Sequence, residues 1–243
     1  MKMNADYKVE YLFKKYSFND IVSKIDHTLL KPYATIENLK RTCFEAIEYN
    51  FYGCCVSPCY LKYASEYLSG SNVKLMTVVG FPLGFQPIDV KLNEIECYLK
   101  WNVEEVDIVM NVGLLKSGRY DELKNELSEL VQYSHDHGLV TKIIIETSLL
   151  TEDEIIKVAK IVLDSSSDFI KTNTGFGSRG VNFNDIMLIK QAVGNKLKIK
   201  AAGGIREILD FLMFLELGVD RIGTSSGVKI VKEYNKYKHL LLG

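Results

Sequence analysis

Histidine, proline and tryptophan are scarce in this 243-residue chain, with four, four and one of each. The longest uncharged stretch, residues 75–88, is broken by two prolines and two glycines. A membrane-spanning helix needs about 20 apolar residues, so none is expected. Charge of one sign is also missing: 30 Lys and Arg stand against 31 Asp and Glu, a formal net charge of −1. Proteins that live on nucleic-acid phosphate or anionic membrane carry a basic excess, so neither partner is expected. The five cysteines (Cys43, Cys54, Cys55, Cys59, Cys97) form no CxxC pair and face no second Cys or His pair at zinc-like spacing. No metal site is read from them, and all five are expected as buried small hydrophobes. The opening MKMNADYKVEYLFKKY is charged throughout and has no apolar core. No signal peptide is expected, and reduced thiols in a cytoplasmic protein follow. No G-x-G-x-x-G turn follows an early strand, which argues against a doubly wound dinucleotide-binding sheet.

What is present is alternation. Hydrophobic residues make up 47% of the chain, enough to bury a core. Short β-branched runs lie at 25–29, 52–57, 73–79, 105–111, 140–146, 168–172, 197–202 and 220–224. Segments of helical period lie between them, at 35–49, 59–68, 88–101, 120–137, 151–163, 183–193 and 206–217. Thr151 and Glu154 have capping-box spacing. Gly70, Gly138, Gly218, Asn50 and Asn102 stand where helices end in a left-handed residue. KIIIE and VDIVM read as strands covered on both faces, as in a parallel sheet under helices. Eight such strands in about 250 residues predict an α/β fold, a single (β/α)8 barrel over residues 1–243. An extra N-terminal helix, residues 5–16, is placed to plug the N-terminal end of the barrel.

Active residues in such a barrel sit at the C-terminal ends of strands. Strand six ends in DFIKTNTGFG, which places Lys171 in an apolar context. Desolvation and nearby cations favour a neutral, nucleophilic amine. The plainer alternative is a packed stem whose head reaches solvent. Strand seven carries Lys198 and Lys200, two apart and therefore on one side. Lys200 is nearer the C-terminal end and is the choice for the mouth, with Lys198 below it. Lys171 and Lys200 on neighbouring strands would be a close like-charged pair, in which one proton is lost more readily. Asp107, flanked by Val106 and Ile108, must be paired. A salt bridge to one of the lysines and a share in proton transfer are compatible readings. Asp26 in IDHTLL could orient substrate hydroxyls or fix the mouth. For His27 a hydrogen-bonded structural role is favoured. His135 and His137 close a helix, where they suit its dipole rather than a metal. Gly203-Gly204 after strand seven and Gly223-Thr-Ser225-Ser226-Gly227 after strand eight are small, donor-rich loops. Together they suit a phosphate at a helix N-terminus.

Six segments carry a family resemblance: IDHTLLKP (25–32), VVGFPLG (78–84), EVDIVMNVGLLKSG (105–118), DFIKTNTGFG (168–177), KAAGGIR (200–206) and RIGTSSG (221–227). The chain resembles the deoxyribose-phosphate aldolases, nearly from end to end and in the family's order. The resemblance implies a class I, Schiff-base aldolase of deoxyribonucleotide catabolism, acting on a small phosphosugar, 2-deoxy-D-ribose 5-phosphate. It implies Lys171 as the Schiff-base lysine, Lys200 as the lysine that perturbs it, and Asp107 as the acid in the proton relay. It implies Gly203, Gly204, Ser225 and Ser226 at the phosphate, and Asp26 and Thr174 on the substrate pocket. No metal or other cofactor is implied, and a homodimer or other homo-oligomer is. The chain departs in having Ala202 where serine is frequent. It also does not end in the tyrosine some members use in proton transfer, so Tyr234 and Tyr237 are the candidates to replace it. Two other readings compete: a different barrel aldolase or lyase on phosphosugars, and a non-catalytic phosphosugar-binding protein.

Overall fold

The structure, a computed structural model, describes residues 5–242. Eight parallel strands close into a barrel in sequence order: β1 (Ile25–Leu29), β2 (Gly53–Val56), β3 (Lys74–Val79), β4 (Glu105–Val109), β5 (Val140–Ile144), β6 (Phe169–Lys171), β7 (Lys198–Ala202) and β8 (Arg221–Thr224). The helices are α1 (Ala5–Lys15), α2 (Phe18–Val22), α3 (Ile36–Glu48), α4 (Leu61–Leu68), α5 (Ile88–Leu99), α6 (Val112–Lys116), α7 (Tyr120–Asp136), α8 (Glu152–Asp164), α9 (Phe183–Val193), α10 (Ile208–Glu216) and α11 (Gly227–Leu242). The predicted (β/α)8 architecture is therefore present, with most ends shifted by one or two residues. Among the described residues no helix is long and apolar enough to cross a membrane.

The local signals act as expected. Thr151 Oγ1 accepts from the Glu154 amide while Glu154 Oε2 accepts from the Thr151 amide at 2.8 Å. Gly70, Gly138 and Gly218 have φ of 77°, 75° and 78°, and Asn50 and Asn102 have φ of 52° and 54°. Each ends a helix in the left-handed region that glycine and asparagine tolerate.

The main core lies between the barrel and its helices. Val106, Ile108, Ile143, Ile170, Ile199 and Ile222 belong to it. A separate, small apolar cluster of Cys55, Met76 and Val78 stands apart from that core. Both faces of β4 and β5 are covered, as expected, but the inward face carries charge. Successive residues alternate across a strand, so with Val106 and Ile108 turned to the helices, Glu105 and Asp107 face the barrel axis. By the same parity Lys142, Lys171, Lys200 and Arg221 point inward. Half of the barrel interior is ionic.

Two expectations are overturned. Helix α1 does not plug the barrel. It packs on α11, where Phe13 stacks on Tyr234 with ring centroids 5.6 Å apart. Its apolar stripe needs a partner, and the C-terminal helix supplies one. Cys43, Cys54 and Cys55 are buried, but Cys59 and Cys97 are exposed; neither lies on the apolar face of its segment.

Candidate active site

Parallel pairing of β6 and β7 sets Lys171 opposite Lys200. The sequence predicts a like-charged pair and a salt bridge from Asp107 to one of the lysines; in the structure Asp107 lies between the two and pairs with both. Asp107 Oδ2 accepts from Lys171 Nζ at 2.8 Å and from Lys200 Nζ at 2.7 Å. Burial alone would drive Lys200 toward the neutral amine. Asp107 and Asp26 outweigh it and push Lys200 above the ordinary lysine range. Lys200 is thus held in its charged form. For Asp107 burial pushes the carboxyl up, yet Lys142, Lys171 and Lys200 together hold it well below the usual carboxylate range. The absence of a side chain at Gly223 gives Lys200 its place: a Cβ there would stand 3.2 Å from Lys200 Cε.

Sequence reasoning missed three members of this cluster. Lys142, paired across the sheet with Asp107, lies 3.0 Å from Asp107 Oδ1 and 2.6 Å from Glu105 Oε2. Arg221 donates through Nε to Asp26 Oδ1 at 3.0 Å and reaches Glu105 Oε2 at 3.4 Å. The available signal was a lone charge at Lys142 in the middle of an otherwise uncharged strand, Val140–Ile144.

Asp26 is a correction. The sequence leaves it to orient substrate hydroxyls or to fix the mouth, and the family resemblance puts it on the substrate pocket; it is fully buried and is not on the cavity wall. Its oxygens turn to Lys200 Nζ, at 2.6 Å, and to Arg221. A carboxylate between two buried cations is held there by charge, the arrangement that the reading of Asp26 as fixing the mouth requires.

Above the lysines opens a cavity of about 370 Å³, whose wall includes Lys171, Thr174, Gly203, Gly204 and Ser225. Gly203 and Gly204 have φ of 96° and 85°, values that side-chain-bearing residues rarely adopt. Lys31 and Arg206 stand on the same wall and add positive charge beside the glycine loop. Ser226 is not on that wall, and its amide already donates to Thr224 Oγ1 at 2.9 Å. Ser225 is therefore the better placed of the two serines for an anion.

Thr174 reaches the cavity, but its hydroxyl is engaged on both sides. It donates to Glu146 Oε2 at 2.6 Å and accepts from the Phe176 amide at 3.0 Å. Glu146 is a further residue missed from the sequence. It has φ of 51° and also accepts from Ser148, Asn173 and the Thr174 amide. Burial raises its proton affinity, and these hydrogen bonds outweigh that and keep it ionised. Glu146 thereby ties the loop after β6 to the end of β5.

His27 is structural, as favoured: its Nε2 lies 2.8 Å from Glu45 Oε2. His135 lies 2.9 Å from Asp168 Oδ2, and His137 Nδ1 donates to the Tyr133 carbonyl at 2.8 Å. Tyr234 donates to the Tyr16 carbonyl at 2.7 Å and is packed against Phe13 and Phe18. That hydroxyl is committed to the outer helices, and Tyr234 is not on the cavity wall.

A parallel eight-stranded barrel with a buried amine under a glycine-walled cleft at the C-terminal ends of its strands defines the class of (β/α)8-barrel enzymes. Comparison narrows the class. The model of the DeoC/LacD family aldolases matches residues 21–233, and the chain belongs to that family. It is 47% identical to the deoxyribose-phosphate aldolase of Thermococcus gammatolerans, covering 88% of this chain and 96% of that one. It is 45% identical to the enzyme of that name from Caldanaerobacter subterraneus subsp. tengcongensis, covering 93% of this chain and 98% of the relative. The deoxyribose phosphate aldolase of Aeropyrum pernix, described as a tetramer, superposes with a TM-score of 0.87. It is 30% identical, over 97% of this chain and all of that one.

Proposed function

We propose that residues 1–243 act as one catalytic unit, a class I aldolase that reversibly cleaves 2-deoxy-D-ribose 5-phosphate to acetaldehyde and D-glyceraldehyde 3-phosphate. The observation that carries this reading is Lys171 on the cavity wall, its amine 2.8 Å from Asp107, below the loop of Gly203, Gly204 and Ser225. As a free amine, Lys171 attacks C1 of the open-chain sugar, and loss of water gives an iminium. The C3 hydroxyl gives up its proton, the C2–C3 bond breaks, and its electron pair moves into the iminium. Glyceraldehyde 3-phosphate leaves, the resulting enamine takes a proton at C2, and hydrolysis releases acetaldehyde and Lys171. Asp107, with charged Lys200 beside it, is placed to exchange protons with these groups, a contribution of about 10²–10⁴ in rate. The iminium is the electron sink.

The glycine loop and Ser225, with Lys31 and Arg206 on the rim, hold the 5-phosphate dianion. The start of α11 adds the partial positive charge of a helix N-terminus. The relatives' name and the tetramer described for one of them support a homo-oligomer acting on a phosphosugar. A cytoplasmic setting fits this chemistry. Borohydride reduction in the presence of acetaldehyde tests the reading. An ethyl group mapped by peptide mass to Lys171 is the expected result. A label at Lys198 or Lys200 reverses the assignment, and no label removes the Schiff base.

A further inference from the structure

The charged groups inside the barrel make a circuit. From Asp107 Oδ2 it is 2.7 Å to Lys200 Nζ, and from there 2.6 Å to Asp26 Oδ2. Asp26 Oδ1 accepts from Arg221 Nε at 3.0 Å, and Arg221 reaches Glu105 Oε2 at 3.4 Å. Glu105 Oε2 lies 2.6 Å from Lys142 Nζ, which returns to Asp107 Oδ1 at 3.0 Å. The path closes. Its six members alternate in sign, three carboxylates with three cations, and all are buried. The ring is formally neutral. Lys171 hangs from it by its single contact with Asp107.

The count decides which amine can be free. With all seven groups ionised, the cluster carries one excess positive charge in a desolvated place, which is costly. Loss of a proton from Lys142 or Lys200 opens the ring. Loss from Lys171 brings the cluster to neutrality with every ring contact kept. Lys171 is also the one of these three lysines on the cavity wall.

We propose that Glu105, Lys142 and Arg221, which do not line the cavity, are positioning residues: by closing a neutral ring beneath Lys171 they direct deprotonation to the one lysine that faces substrate. This rests on the Schiff-base reading of Lys171.

The remaining groups around Lys171 do not upset the count. Strand β2 presents Cys55, whose thiol burial pushes up to about 11, with Asp107 adding to it. It is neutral at physiological pH. Strand β3 offers Met76 and Val78, which do not titrate. Tyr52 donates to Glu105 Oε1 at 3.0 Å, and Lys198 lies over the Phe169 ring at the bottom of β7. Glu146, above β5, is bound by Ser148, Asn173 and Thr174.

The test is the pH dependence of acetaldehyde trapping by borohydride at Lys171 in the full chain, read by peptide mass. Glu105→Gln removes a ring anion, leaves excess positive charge, and moves the midpoint of labelling to lower pH. Lys142→Met removes a ring cation and moves it to higher pH, and Arg221→Gln gives the same sign independently. Each shift is about one pH unit, or about tenfold in labelling rate on the acid limb. The double variant Glu105→Gln/Lys142→Met restores neutrality, and its midpoint falls between the two single variants. Opposite signs are what a merely structural role would not produce. If a single variant does not fold, the double variant and Arg221→Gln carry the test. An Arg221→Gln midpoint at or below the parent's, or a double-variant midpoint a unit or more from it, overturns the proposal. Folded single variants that shift together or not at all also overturn it. If the parent itself shows no label at Lys171, it is the aldolase reading that fails.

Discussion

Replacing Lys200 by leucine perturbs the candidate site most directly. Lys200 Nζ and Lys171 Nζ lie 2.7 and 2.8 Å from the same Asp107 oxygen, so they are at most about 5.5 Å apart. At about 5 Å and an effective dielectric near 20, two unit charges repel by about 3 kcal/mol. Losing that repulsion makes an ammonium at Lys171 more favourable by about two pH units. The acid limb of the kcat/KM profile for deoxyribose 5-phosphate therefore moves up by about that much, and activity on that limb falls by about a hundredfold.

The fold should survive. Removing one partner of a buried ion pair costs about 3–5 kcal/mol when it leaves a charge uncompensated. Here Asp107 keeps Lys142 and Lys171, and Asp26 keeps Arg221, so the loss should fall at or below the lower end of that range. Urea unfolding of the variant, followed beside its pH–rate profile, separates the two effects. A folded Lys200→Leu variant whose profile overlays the parent would refute the electrostatic reasoning.

Acid stability follows from the same cluster. Burial pushes the carboxyls of Asp26 and Asp107 up, and the surrounding cations outweigh this and hold both low. Such groups stabilise the fold above their unfolded value of about 4 and lose that contribution as pH falls through the folded value. The urea midpoint should hold from pH 7 to about 5 and fall below about 4; a midpoint unchanged at pH 2.5, an estimate well under the unfolded value, contradicts this. For Gly204→Val, KM for deoxyribose 5-phosphate should rise strongly and KM for unphosphorylated deoxyribose little. A Cβ there meets only Gly180 Cα, at 3.8 Å, so the added bulk would fill ligand space at a φ that valine resists; equal losses on both substrates would assign the loop to the fold instead. Tyr234→Phe loses the hydrogen bond to the Tyr16 carbonyl and should cost about 1 kcal/mol in unfolding with kcat unchanged; a fall in kcat would return this hydroxyl to the proton path.

Residues whose chemistry is local were legible in the sequence. Lys171 ends β6, while Asp107 and Lys200 stand in the middle of β4 and β7; each puts a charge among apolar neighbours, and a desolvated charge in such a place needs a reason. Helix ends were legible too, because caps and left-handed residues act within a single turn. Helices α2 and α6 were not, since five residues hold too little of the 3.6-residue period to register. Arg221 was missed because, at the start of β8, it reads as an ordinary solvated charge; Lys142 holds the same middle place in β5 that Asp107 holds in β4, but a long cationic stem is read as reaching solvent. Barrel closure turns them inward, and the register that pairs Asp107 with Lys142 depends on strand stagger, which no single strand displays. The expected plug failed for a related reason: the partner of Phe13 is Tyr234, near the other end of the chain.

The division of the two cores explains how the fold tolerates so much buried charge. Burial of apolar area is the main favourable term in folding, and here it is concentrated between strands and helices, where Val106, Ile108, Ile143, Ile170, Ile199 and Ile222 all face outward. The barrel interior contributes a small cluster of Cys55, Met76 and Val78. The axis is thus released from packing duty and can hold opposed charges, provided each finds a partner. Alternation along a strand makes this separation possible, since one residue in two serves each face. A substitution on the outward parity should then act through packing and leave the pH profile in place. One at an inward charge of the ring should change the field that Lys171 senses through Asp107. The two faces of the same strand therefore carry packing and charge separately, and the amine of Lys171 can sit in a charged setting without weakening the shell that holds it.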